Sequence, residues 1–189
     1  MPFLHPALER AAAALEPLRG AGARLGAPNP VAALRQIDCS PQAIRESARK
    51  LSSGRDVLVT ARLQFERGAH RAERRWGGEP AALFRGRADE LDAHYRQAAE
   101  AAARTAAVGL DLADLLDRLA VQTAEQVTAI GATARAAAEA VLAGDRSTDV
   151  VYPVTAACAS IARAVATGVS TIVETIPVLE PFGTPVIPG

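Results

Sequence analysis

The sequence predicts an all-α fold: a long antiparallel helical hairpin with additional N- and C-terminal helices packed into an elongated bundle. Three observations carry that prediction. Apolar and small residues recur at steps of three and four along two long stretches. A Trp76-Gly77-Gly78-Glu79-Pro80 breaker separates those stretches. Alanine, the best helix former, supplies much of an apolar content of 49%, in runs such as 11–14, 101–103 and 136–138.

Taken in chain order, the first element is a short Ala-rich helix from about Pro6 to Arg19. Gly20, Gly22, Gly26, Pro28 and Pro30 then predict a loop, with one helical turn over 31–36. Ser40-Pro41 is a start signal, a capping hydroxyl followed by a proline at the first helical position. From Pro41 to Arg75 the positions Ile44, Ala48, Leu51, Gly54, Leu58, Ala61, Phe65, Ala69, Ala72 and Trp76 form one stripe on a helix of roughly 50 Å. The opposite face, with Arg45, Arg49, Arg55, Arg62, Glu66 and Glu73, has the character of a solvated surface.

After the two glycines and Pro80 the chain reverses. Phe84, Ala88, Leu91, Tyr95, Ala98, Ala102, Thr105, Gly109, Leu112, Leu116, Leu119 and Thr123 alternate steps of four and three, and Ile130, Ala134, Ala137 and Val141 continue the face. Such a repeat predicts coiled-coil-like packing on a helix of roughly 95 Å, with a kink expected at Gly109. The second arm is thus nearly twice as long as the first, and its far half needs another cover. A last helix opening at Pro153, with the stripe Val154, Cys158, Ile161, Val165, Gly168 and Ile172, is expected to fold back over it. The organisation expected is a single helical domain over 1–176, with a core hairpin at 40–144, and a proline-rich tail at 177–189.

Charge and chemistry narrow the function. The 21 basic and 21 acidic residues cancel, so composition favours neither nucleic acid nor an anionic membrane. The window Val154 to Val173 contains Arg163 and many small polar residues, which predicts a soluble packing helix rather than a membrane span. The first residues lack a basic segment followed by an apolar run, so a Sec-type signal peptide is not expected. Cys39 and Cys158 are two readings at once: a disulfide in an exported protein, or two small apolar side chains. His5, His70 and His94 are scattered, and the Asp111, Asp114, Asp117 series suits a solvated face. No metal site, cofactor or catalytic residue is expected, and the chain is expected not to be an enzyme.

The Trp-x-Gly turn of Trp76 and Gly78, set between two amphipathic helices and followed by Phe84, resembles the WxG helical-hairpin superfamily of type VII (ESX) secretion substrates over roughly Ser40 to Gly144. Within it the chain is similar to the larger, PPE-like branch or to the N-terminal targeting domain of a toxin, and the Ala- and Arg-rich composition suits an actinobacterial source. The resemblance implies a non-enzymatic, secreted or cell-surface protein, cytoplasmic before export, that acts through helix–helix association. Trp76 and Gly78 would form half of the secretion signal, and Phe65, Phe84, Leu91 and Tyr95 a face for packing or for a partner. The partners implied are the type VII machinery and either a helical protein supplying a Tyr-x-x-x-Asp/Glu motif or a second copy. That motif is absent here, since Ala99 and Ala156 stand four residues after Tyr95 and Tyr152. Two alternatives stay open: a targeting domain preceding a toxin, and a cytosolic helical adaptor or chaperone.

Overall fold

A computed structural model describes residues 2–175, and the proline-punctuated segment expected at 177–189 lies outside the described residues. The fold is all-helical, with no strand among the described residues. Seven α-helices follow in order: α1 (Pro6–Ala14), α2 (Glu16–Leu25), α3 (Pro30–Leu34), α4 (Pro41–Glu73), α5 (Glu79–Thr133), α6 (Arg135–Ala143) and α7 (Thr148–Thr175), with a 3-10 turn at Arg35–Ile37. They divide into two compact units, one formed by residues 2–41 and 114–175, the other by residues 42–113.

The first unit holds the large apolar core. Leu8, Leu15, Leu34, Val127, Val141, Val154, Ile161 and Val165 have under 2% of their surface exposed. The N-terminal region departs from the expected helix and loop. Pro17 lacks the N–H that would bond the carbonyl of Ala13, and the helix breaks at Leu15 into α1 and α2. The helix then continues through Gly20 and Gly22, which were expected to end it, and stops at Gly26 in the left-handed region, φ 69°. Those two glycines serve packing. A Cβ on Gly22 would lie 3.0 Å from Cys158 Sγ of α7, and one on Gly20 would lie 3.4 Å from Leu142 of α6. Arg24 closes the same junction by donating to the Leu142 carbonyl at 2.7 Å, near the end of α6.

Asn29 caps α3 by accepting from the amides of Val31 and Ala32 at 3.0 and 3.1 Å. α5 ends at Thr133 rather than running on to Val141: the Ala134 amide bonds Gly131, three residues back, in a tighter turn, and the Thr133 hydroxyl donates to the Ile130 carbonyl beside it. α6 closes on Gly144 (φ 108°), whose amide bonds Val141 while the Asp145 amide bonds Ala140, a Schellman arrangement. α7 starts one turn before Pro153 instead of at it, after Asp145 accepts from the Ser147 amide at 2.8 Å. Its stripe matches the expected one, with Val154, Cys158, Ile161 and Val165 all fully buried. By length and composition α7 is nonetheless the one helix among the described residues able to cross a membrane. Cys39 and Cys158 are both free thiols.

The second unit is the hairpin of α4 with the first part of α5. Among its described residues the buried apolar side chains are all alanines: Ala48, Ala81, Ala88, Ala99, Ala106 and Ala113. Contacts join the two arms at four places: Trp76 with Phe84, Phe65 with Tyr95, Arg62 with Asp92, and Ala48 opposite Gly109. The pairing is therefore antiparallel. α5 runs unbroken through Gly109, where a Cβ would sit 3.4 Å from the Ala48 methyl, so this is a point of close approach.

Of the face expected after the turn, Ala88, Thr123, Ala134 and Val141 are buried as expected, but between Leu91 and Leu119 the buried line of α5 is rotated: Ala99, Ala106 and Ala113, at seven-residue spacing, are buried, and Ala120 and Val127 continue that row. The row expected on leucines is left at the margin, with Leu91 40% exposed. Alanines let two backbones approach closely, whereas leucines on the seam would hold them apart.

Candidate functional site

The hairpin end is built by a break that only certain residues allow. The Arg75 and Trp76 amides still bond the Ala72 carbonyl, at 3.0 and 3.2 Å, as α4 finishes. Gly78 then takes φ 75°, a conformation that costs an L-residue roughly 1 kcal/mol or more, and its carbonyl accepts from Ala82 at 3.3 Å to start α5. Gly77 has no such constraint, since a Cβ on it would meet nothing within 4 Å. Of the Trp-x-Gly pattern, the third position is thus the one fixed by backbone geometry.

Trp76 stands edge-on to Phe84 with ring centroids 5.5 Å apart, and 58% of its surface is exposed. That contact holds the indole outward at the turn. One step down the hairpin, Phe65 and Tyr95 lie 6.2 Å apart and tilted, so both rings are spent on joining the arms. Leu91 joins neither pair. The residues assigned to one packing face therefore separate into an exposed pair at the tip, an internal pair below it, and a marginal leucine.

The arms are also tied by an ion cluster that the stripe analysis assigned to a solvated face. Arg62 Nε donates to Asp92 Oδ1 at 2.5 Å across the hairpin, and Arg96 donates to Asp92 Oδ2 at 2.6 and 2.9 Å along α5. The Arg62 hydrogen bond is the main cause holding the Asp92 carboxyl below the usual aspartate range; partial burial works against it and Arg96 reinforces it. At the tip, Arg85 reaches Glu73 at 3.3 Å, and His70 lies 3.7 Å from the same carboxylate. From residue 67 to 87 the chain carries six arginines and only two glutamates. Among the described residues, Arg67, Arg71, Arg74 and Arg75 have no hydrogen-bond or ion-pair partner.

A second polar cluster lies in the other unit, and sequence spacing concealed it. His5 is 4% exposed and caps α1, its Nδ1 accepting from the Ala7 amide at 3.2 Å. The proton therefore sits on Nε2, which donates to Asp117 Oδ1 at 2.9 Å, 112 residues away. Asp117 is thus not simply part of a solvated acidic face. Asp38 accepts from the Leu4 amide at 2.9 Å and the His5 amide at 3.1 Å, and Arg35 lies 4.6 Å from the Phe3 ring centre. Burial, with the Asp38 and Asp117 charges, pushes the Cys39 thiol up; burial does the same to Cys158. Both thiols are held protonated, which disfavours nucleophilic chemistry. The cluster works as a latch, fixing the chain start to the 3-10 turn and to α5.

Between α1 and α5 runs an open groove of about 520 Å³, lined chiefly by Ala7, Ala11, Ala14, Val121, Ala124 and Ala132. Arg10 and Glu125 are its only ionisable lining groups. No group of three or more His, Cys, Asp or Glu placed to hold a metal ion occurs among the described residues.

No family model, curated protein or solved structure matches the chain. Its own geometry must therefore carry the argument, and that geometry concentrates exposed apolar and charged groups at the hairpin end.

Proposed function

We propose that the chain is a non-enzymatic substrate of a type VII (ESX) secretion system, acting through helix–helix association and recognised at its hairpin end. The observation that carries this reading is the Trp76 indole, held outward at the turn by Phe84, two residues before a glycine in the left-handed conformation. The supporting chemistry is the hairpin's thin alanine seam, which leaves Leu51, Val57, Leu63 and Leu83 exposed on a unit with little core of its own. In a host with an active type VII system, Trp76→Ala is expected to abolish export while intracellular level and helical content stay unchanged. Export at the native level would sink the proposal.

A cytosolic helical adaptor is the second reading. It is favoured by Tyr95, whose ring packs on Phe65 inside the hairpin and which has alanine at the fourth position after it. Fractionation of the native host separates the two, because the adaptor stays with the cytosol. A targeting domain joined to a toxin is the remaining alternative, and reading the gene beyond Gly189 decides it.

A further inference from the structure

We propose that the hairpin end docks peripherally on an anionic lipid surface, with Arg71, Arg74 and Arg75 against the headgroups and Trp76 in the interfacial layer. This goes beyond the export reading, because the arginines play no part in the Trp-x-Gly turn, and the two stand or fall separately.

A chain whose composition is neutral gathers Arg67, Arg71, Arg74 and Arg75 where α4 ends and the turn begins. Arg71 is in the last turn of α4 and Arg74 and Arg75 follow directly in the turn that closes it, so like charges are crowded within five residues and repel. All three are exposed, and none has an acidic partner among the described residues. The nearby Glu73 is engaged by Arg85 and His70. A favourable interaction with the negative end of the α4 dipole accounts for one or two cations in the last turn, but not for a tryptophan left in water beside them.

Trp76 is 58% exposed and Leu83, one turn into α5, is 68% exposed. An indole between apolar and aqueous phases is at home in the headgroup layer. Size then favours lipid over a stably bound protein. Two helices seen end-on present roughly 200 Å², well short of the roughly 800 Å² per partner that a stable protein interface buries. A lipid surface demands no matching shape, only inserted apolar groups and countercharge.

The test uses the full chain, and Trp76 is its only tryptophan, so indole emission reports on this end alone. Vesicles of phosphatidylcholine with about one-third phosphatidylserine are expected to bind the protein and shift its emission to the blue. Phosphatidylcholine vesicles are expected to do neither, and salt near 0.5 M is expected to release the protein, because screening then acts within a few ångströms. Each arginine removed is expected to weaken binding about fivefold, so the triple variant Arg71→Gln, Arg74→Gln, Arg75→Gln loses about a hundredfold. Arg104→Gln, on the hairpin arm away from the tip, is expected to leave binding unchanged, and circular dichroism verifies that each variant is folded. Absence of binding to anionic vesicles overturns the proposal. So does binding that survives both salt and the triple variant, which would assign the contact to α7. Tighter binding to polyglutamate or duplex DNA than to the vesicles overturns it in favour of an acidic macromolecule.

Discussion

Gly131 lies where α5 meets the break between α1 and α2, and a Cβ added there would overlap Leu15 Cδ2. Leu15 is 0% exposed, so its side chain has no solvent to swing into. Replacing a helical glycine by alanine gains roughly 1 kcal/mol of propensity, while forcing a methyl into a filled core costs about 1–3 kcal/mol. Gly131→Ala is therefore expected to lower stability by up to ~2 kcal/mol. Gly168 in α7 is the matched control, because a Cβ there meets Thr123 Oγ1 at 3.5 Å, an ordinary contact. Gly168→Ala is expected to gain about 1 kcal/mol. Both glycines belong to the same compact unit, so propensity cancels in the comparison and the difference of about 1–3 kcal/mol measures the overlap alone. Thermal unfolding followed by circular dichroism should separate the two variants by roughly 4 °C or more. In a Leu15→Ala background the same Gly131→Ala change should turn favourable. If Gly131→Ala stabilises the native chain as much as Gly168→Ala does, the close approach is not there and the reasoning fails.

Three further outcomes are expected. Gly78→Ala should destabilise the hairpin by about 1 kcal/mol or more, whereas Gly77→Ala should be neutral in the same denaturation assay. Because the folded Asp92 carboxyl titrates below its ordinary range, the Arg62–Asp92 pair stabilises the hairpin above the unfolded value and loses that effect as the pH falls through the folded one. Helicity measured from neutral pH to below about pH 4 should thus show a steeper acid loss in the native chain than in Arg62→Gln. His5→Ala removes the α1 cap and leaves Asp117 without its ring partner, at a cost of about 1–3 kcal/mol; His5→Asn should recover the capping share in chemical denaturation.

What could be read from the sequence was what local chemistry encodes. Ser40-Pro41, the Trp76 to Pro80 breaker and Gly144 each act on their own backbone, so the helix limits they set are those observed, within a few residues. The α7 stripe was equally legible, because valines and isoleucines at its regular spacing have only one apolar place to go. The seam of α5 was not. Periodicity weights leucine above alanine, yet Ala99, Ala106 and Ala113 occupy the contact because closeness of approach outweighs the area a leucine would bury there. Gly20 and Gly22 misled for a related reason. A glycine that breaks a helix and one that admits a neighbour are the same letter, and Cys158 of a distant helix decides between them. The His5–Asp117 bond joins residues 112 apart and leaves no trace in spacing. The charged end was concealed by arithmetic, since a chain-wide balance averages away the arginines at the hairpin end.

The spacing of the buried alanines on α5 has a consequence for how this unit can change. They stand at 81, 88, 99, 106 and 113, and steps of seven or eleven both return a side chain to nearly the same face of a helix. Removing the seven residues between two of these alanines would keep the rest of the row on that face, while removing a single residue would rotate everything beyond it away. Length in this arm is thus quantised: it is trimmed or extended by whole repeats, like links taken from a watch strap, rather than by single residues.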